Sequence, residues 1–436
     1  MQILTPSLLD QYRAVRSFSG TLCAPLAAED CVIQSMPDVS PTKWHLAHTS
    51  WFFETFLLKP HLPGYQSLHP QYDFLFNSYY NAVGERHCRV KRGVISRPTV
   101  DETYAYRAYV DAHMARLLGE ADDALRDTLG PLLTLGLHHE QQHQELMVTD
   151  FKHVFFENPL CPVYRPRRDP PPATVPALKW IKFDAGLREI GWEGAGFAFD
   201  NEGPRHPEYV PAFALGSRLV TNGEYLKFID AGGYEKPEHW LSEGWGTVQK
   251  EGWTAPLCWW DRKGAWQEFT LAGMDALDLD LPVCHVSLFE ADAYARWAGA
   301  RLATEAEWEV ASQGVPLCGN FAASGRLHPA ALRPHDAESG RLHPAALRPH
   351  DAESGRLHQM YGDVWEWTRS QYSPYPGYSA PPGALGEYNG KFMCNQFVLR
   401  GGSCATSHSH MRPTYRNFFP PDARWQFTGI RLAKDL

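Results

Sequence analysis

Leu137-His138-His139-Glu140-Gln141-Gln142-His143-Gln144-Glu145-Leu146 carries two histidines, His139 and His143, four residues apart. On a helix that spacing stacks both imidazoles on one face. The run before it, Gly130-Pro131-Leu132-Leu133, predicts a helix start with Pro131 in the first turn, where a missing N–H costs little. Two imidazoles on a rigid helix can hold a divalent metal if a third ligand comes from elsewhere. The same residues fit the His-Glu-x-x-His pattern of zinc peptidases. The extended form of that pattern wants Gly at 146 and His at 149, where this chain has Leu146 and Thr149, and His153 follows at a different spacing. A helix that merely carries histidines on a polar face is the third reading. The rest of the chain has to separate the three.

Upstream, Thr5-Pro6 can cap a first helix with Leu8, Leu9, Tyr12, Val15 and Phe18 on an apolar stripe. Ser40-Pro41 repeats the start signal for a second helix carrying Trp44, His48, Trp51, Phe52 and Thr55. His48 shares the aromatic face and is expected to point inward, where the facing helices of a bundle build metal sites; a hydrogen-bonded core histidine is the alternative. Thr99-Val100-Asp101-Glu102 is a capping box for a third helix. With the His139–His143 helix as the fourth, the pattern suggests a four-helix bundle with one long connection over residues 60–98. That connection reads Phe76-Asn77-Ser78-Tyr79-Tyr80-Asn81-Ala82-Val83-Gly84, followed by Arg86, Arg89 and Arg92. Paired tyrosines beside spaced arginines suit a site that donates protons and holds a carboxylate, and equally suit a surface loop packed on the bundle.

A length of 436 residues predicts two domains, and 44% hydrophobic with 13% aromatic residues predicts a sizeable core. A net charge of −9 argues against a nucleic-acid partner gripped through its phosphates. Nine cysteines without a Cys-x-x-Cys do not form a disulfide framework. The N-terminus lacks the basic and apolar regions of a signal peptide, and no apolar run is long enough to span a bilayer. A cytoplasmic protein is expected. Prolines crowd residues 158–176, including Pro170-Pro171-Pro172, and mark a stiff boundary. The expected layout is a helical bundle over 1–160, a proline-rich linker over 161–178 and an α+β domain over 179–436. In the last, Thr221 with Glu224, Ser287 with Glu290 and Thr304 with Glu307 form three further capping boxes. Residues 324–338 recur word for word as 339–353, and a third copy starts at Ser354. A unit this short, copied so few times, reads as an insertion in an exposed loop rather than a solenoid.

The two halves together resemble the ergothioneine-biosynthesis sulfoxide synthases, a non-haem iron family. In the first half the likeness rests on Trp44-His45-Leu46-Ala47-His48 and His139-Glu140-Gln141-Gln142-His143, which look like a DinB-like four-helix bundle. In the second it rests on Val220-Thr221-Asn222, Arg301 to Trp308, Gly362-Asp363-Val364-Trp365-Glu366-Trp367, Leu399-Arg400-Gly401-Gly402-Ser403 and Gly429-Ile430-Arg431-Leu432-Ala433. Those motifs are similar to the formylglycine-generating-enzyme fold. Formylglycine-generating enzymes use a cysteine pair after the Gly-Gly-Ser stretch, and here no cysteine follows Cys404. The resemblance implies Fe(II) on His48, His139 and His143, with hercynine, cysteine and dioxygen as reactants. It implies an oxidoreductase that joins cysteine sulfur to the imidazole C2 of hercynine and forms the sulfoxide. It also implies hercynine contacts from Gln142 and Asn417, with Phe418 and Phe419 near the trimethylammonium group, where cation–π contact is available. Tyr79 and Tyr80 become the proton donors. The Tyr79-Tyr80 pair with Arg86, Arg89 and Ser96-Arg97-Pro98-Thr99 looks like the free-cysteine branch, with Arg89, then Arg86, on the donor carboxylate. A γ-glutamylcysteine-using, histidine-using (ovothiol-type) or selenium-inserting relative, a zinc peptidase and a non-catalytic binding module are the alternatives.

Overall fold

The computed structural model describes residues 6–167, 175–332 and 356–436. Residues 333–353 of the repeat, with Ser354, and Pro170-Pro171-Pro172 of the linker lie outside the described residues. The chain packs as two units. The first is Met1–Arg165 joined by two short segments from far along the sequence, Ala195–Phe197 and Ala380–Tyr388. The second is Pro166–Gly194, Ala198–Ser379 and Asn389–Leu436. Boundaries drawn from composition, at 160 and 179, assign neither short segment to the helices.

Four long helices frame the first unit: α1 (Leu8–Cys23), α2 (Thr42–Phe53), α3 (Val100–Glu120) and α4 (Asp123–Glu157). The capping box of Thr99 and Glu102 starts α3 as expected. Helix α1 is capped by Ser7, whose Oγ accepts from the Asp10 N–H. Its buried face is Tyr12, Arg16, Ser19, Leu22 and Cys23 rather than the expected apolar stripe, because two polar side chains, Arg16 and Ser19, have an acid to reach on α4. Every residue of α2 is buried, and the helix loosens into a π turn at Glu54–Leu58. Helix α4 starts earlier than expected: Asp122 caps it, and Pro131 lies inside rather than in its first turn. An interior proline forfeits one backbone hydrogen bond; here Leu129, Leu133 and Leu137, all buried, carry the helix past it. At Gly136 the two central helices nearly touch, since a Cβ there would meet Phe53 at 2.6 Å and Phe52 at 3.0 Å. That close approach brings His48 of α2 opposite His139 of α4.

The second unit is α+β, with many short strands. One sheet orders Trp180–Phe183, Phe213–Gly216, Leu432–Asp435 and Arg301–Leu302; another orders Asn417–Phe419, Phe397–Arg400, Trp365–Gln371 and Thr428–Gly429. All three expected capping boxes form. Each capping glutamate also takes an arginine: Arg218 on Glu224, Arg424 on Glu290 and Arg301 on Glu307. Buried pairs such as Arg431–Glu366 and Arg412–Glu202 tie the irregular stretches between strands. No helix among the described residues is long and apolar enough to cross a membrane, and all nine cysteines are thiols.

Candidate metal centre

His48, His139 and His143 are buried in the first unit, with one ring nitrogen of each within 4.8 Å of the other two. Helix α2 supplies the first and successive turns of α4 the others. The hydrogen bonds fix which nitrogen of His48 and His143 is bare. His48 Nδ1 lies 2.6 Å from the Phe76 carbonyl oxygen. A carbonyl only accepts, so Nδ1 carries the proton and Nε2 keeps its lone pair. His143 Nδ1 lies 2.8 Å from His45 Nδ1, and His45 Nε2 lies 3.0 Å from Asp150 Oδ2. The carboxylate accepts from His45 Nε2–H, His45 Nδ1 accepts from His143 Nδ1–H, and His143 Nε2 is left bare. The relay is the carboxylate–histidine device that orients metal-binding imidazoles. Ser40 N–H, at 2.8 Å, holds the same Asp150 oxygen. His48 Nε2 and His139 Nε2 lie 3.1 Å apart, close enough for both to face one divalent cation.

Burial is the largest cause holding His48 and His143 well below the ordinary imidazole pKa, and their histidine neighbours add to it. Burial lowers His139 to about 3, against the opposing pull of Glu140. Three neutral imidazoles with convergent nitrogens suit a borderline metal such as iron(II). Aromatic rings lock the set in place. His48 is stacked on Trp44 (centroids 4.7 Å apart, 12° between planes) and on Trp51 (5.4 Å, 17°), and Phe52 packs 4.6 Å from His139.

Glu140 follows His139 in sequence but turns away from it. Its carboxylate takes Arg16, Arg107 and Ser19 and is 0% exposed. Arg107 and Arg16 pull its pKa down to about 2 in spite of burial. A carboxylate held by two guanidiniums on the far side of the helix cannot serve as the general base of a zinc peptidase.

Tyr79 and Tyr80 reach the same unit. Asn77 braces their turn: its Nδ2 donates to Tyr80 O at 2.9 Å and Gly84 O at 3.2 Å, and its Oδ1 accepts from Tyr80 N–H at 3.0 Å. Tyr80 is buried against Trp51 and Phe56 and stacked 4.6 Å from Tyr79. Burial, then the neighbouring phenols of Tyr79 and Tyr388, drive the Tyr80 phenol well above its usual range. The segment Ala380–Tyr388 closes over this turn, with Glu387 accepting from the N–H groups of Asn81 (3.0 Å) and Ala82 (2.8 Å). Tyr388 packs 5.8 Å from the His139 ring and donates its hydroxyl proton to Gln142 Oε1.

Comparison with known proteins now bears on this geometry. The hercynine oxygenase of Mycolicibacterium smegmatis is 34% identical, the match spanning 92% of this chain and 93% of that protein. That of Mycobacterium tuberculosis is also 34% identical, over 94% of both chains. The chain belongs to the hercynine oxygenase family. Residues 167–436 match the sulfatase-modifying factor enzyme 1-like domain. The formylglycine-generating enzyme of Streptomyces coelicolor is 30% identical over 63% of this chain and 92% of its own.

The remaining expected site residues of this hercynine oxygenase family member are divided. Gln142 faces Tyr388, as above. Arg86 is exposed and donates to Ser78 O at 2.8 Å, and Arg89, also exposed, donates to Asp38 O. Neither guanidinium is directed at the three histidines by these bonds. Asn417, Phe418 and Phe419 form a strand of the second unit, where Phe418 stacks on Tyr372 (4.0 Å, 8°) and Phe419 packs edge-on to Trp425. Sequence reasoning missed His45 and Asp150 as orienting groups, Tyr388 altogether, and the distinct burial of Arg92. His45 had a signal, since it precedes His48 by three positions on one helix face. Tyr388 had none, lying in a proline- and glycine-rich run.

Proposed function

We propose that this protein is a non-haem iron(II), O2-dependent sulfoxide synthase that joins cysteine sulfur to the imidazole C2 of hercynine, giving hercynylcysteine sulfoxide for ergothioneine biosynthesis. One observation carries the reading: His48 and His143 have Nδ1 engaged by acceptors and Nε2 bare, beside His139, in a buried site. Three imidazoles from the chain would leave positions on a bound iron(II) for other ligands. Bound there, iron would supply the redox chemistry with dioxygen; the protein supplies position and protons. The balance is one hercynine C–H, one thiol S–H and one O2 giving one C–S bond, one S=O bond and one water.

In this reading the first unit is a DinB-like bundle and the aromatic rings around His48 and His139 exclude water. Tyr79 and Tyr80, the latter with its phenol held well above its usual range by burial, donate protons while the sulfur is oxidised. Tyr388 orients the Gln142 amide toward hercynine. Asn417, Phe418 and Phe419 would take the trimethylammonium end, and Arg89 or Arg86 the donor carboxylate after moving from their present carbonyl partners. Work in a reducing cytoplasm agrees with nine cysteines present as thiols. The test is anaerobic loading with Fe(II), then oxygen, hercynine and cysteine, with the product weighed by mass spectrometry. A mass equal to hercynine plus cysteine plus oxygen minus two hydrogens supports the reading. Cystine alone would refute it, and a faster reaction with γ-glutamylcysteine would move the chain to that branch.

A further inference from the structure

The tyrosine turn is held from two sides. From inside, the Asn77 amide spans it. From outside, Glu387 spends both carboxylate oxygens on it: Oε2 accepts from Asn81 N–H at 3.0 Å and Oε1 from Ala82 N–H at 2.8 Å. The inside brace joins residues at most seven positions apart, and the outside one crosses 306 and 305. Asn81 and Ala82 are exposed, so water could serve both N–H groups. A carboxylate brought from so far along the chain therefore does more than satisfy the turn.

What it brings along is Tyr388. That residue follows Glu387, is 5% exposed, packs 5.8 Å from the His139 ring and edge-on to Tyr79 at 6.4 Å, and donates to Gln142 Oε1. Consecutive side chains thus grip two separate elements, the turn of Tyr79 and Tyr80 and helix α4. The segment that carries them is closed at its neck by a second carboxylate. Tyr378 donates its hydroxyl proton to Asp200 Oδ2 at 2.8 Å, and Asn389 Nδ2 donates to Asp200 Oδ1 at 2.6 Å, all within the second unit. Between those residues the chain doubles back so closely that a Cβ at Gly386 would collide with Pro381 O. Asp200 pins the neck of this loop, and Glu387 pins its tip.

We propose that Glu387 is a positioning residue for the proton-donating tyrosines: its carboxylate locks the Tyr79-Tyr80 turn to the segment bearing Tyr388, so that phenols from two distant parts of the chain meet beside the histidines. The inference deepens the reading above and rests on it, since it takes Tyr79 and Tyr80 as donors during sulfur oxidation. Two bonds from one carboxylate fix an orientation as well as a distance. A proton donor needs both, because it works only within hydrogen-bond reach of its acceptor. With the turn unlocked, the proton comes too late to divert the thiol from simple oxidation. One cysteine thiol and one O2 then give one cysteine sulfinic acid, and hercynine is left unchanged.

The test compares the wild type with Glu387→Ala and Glu387→Gln. Hydrogen exchange on the protein without added substrate reads the lock itself. In Glu387→Ala the amides of Asn81 and Ala82 should exchange about tenfold faster or more, while Tyr80 N–H, still on Asn77 Oδ1, changes less. Glu387→Gln keeps one acceptor oxygen and should fall between. Turnover of the Fe(II)-loaded protein with oxygen, hercynine and cysteine reads the consequence. In Glu387→Ala the kcat for the sulfoxide should drop about tenfold or more, sulfinic acid should rise in its place, and the KM values for both substrates should hold. The melting temperature should barely move, because Glu387 and its two donors are at least partly exposed. Equal exchange in the wild type and Glu387→Ala would overturn the lock. Faster exchange with an unchanged product ratio would overturn the positioning role and leave a structural contact. A wild type that makes no sulfoxide would sink the reading of function, and the exchange comparison would still decide whether Glu387 holds the turn.

Discussion

Helix α4 shows two faces within six residues, and they have opposite fates. His139 and His143 point to one side, each with a ring nitrogen turned to a common point. Glu140 and Gln144 point to the other, toward α1. There Glu140 takes Arg16, Arg107 and Ser19, and the Gln144 amide donates to Val15 O at 2.9 Å and Ser19 Oγ at 3.0 Å. One face is closed by its own partners and the other is left chemically open. A buried polar group without a partner is costly, so a folded chain keeps such a face where something will fill it. The paired face holds the helix; the open face is free for chemistry.

That contrast can be broken from the paired side first. Glu140→Ala takes the carboxylate from Arg107, leaves Arg16 with Asp111 alone, and should cost about 3–5 kcal/mol in urea unfolding; a loss below 1 kcal/mol would mean that the network is ornamental. The same network gives a pH dependence. Glu140 is depressed from 4.5 to about 2 in the folded state. Its stabilisation is therefore complete above the unfolded value and disappears as pH falls from about 4.5 toward 2, an effect of about 3 kcal/mol. A Glu140→Gln variant should show a flatter acid limb than the wild type over that range.

The open side answers to its orienting groups. His45→Ala removes the acceptor that fixes the His143 tautomer and should weaken Fe(II) binding by about 10–100-fold, without abolishing it. Affinity equal to the wild type would separate the Asp150–His45 relay from the metal. The smallest effect belongs far from both faces. Thr99→Ala removes the α3 cap and should cost about 1 kcal/mol while metal affinity stays constant.

Local chemistry was legible in the sequence. The spacing of His139 and His143 gave their common face, and all four capping boxes formed where Thr or Ser precedes Glu by three residues. Pro131 misled because a local rule for helix starts lost to the burial of a 35-residue helix around it. Long-range pairing was not legible. Arg16 meets Glu140 across 124 positions and Tyr388 meets Gln142 across 246. No periodicity encodes either. Arg86, Arg89 and Arg92 are equivalent by spacing, and only the packing of Arg92 on Trp44 sets it apart from the other two.

The most direct measurement is an anaerobic Fe(II) titration of the wild type, His48→Ala and Glu140→Gln, each checked for a cooperative unfolding transition. The account predicts one Fe(II) per chain in the wild type and in Glu140→Gln, and loss of the tight site in His48→Ala. Tight iron retained by a folded His48→Ala, or lost from a folded Glu140→Gln, would contradict the division of α4 into a ligand face and a structural face.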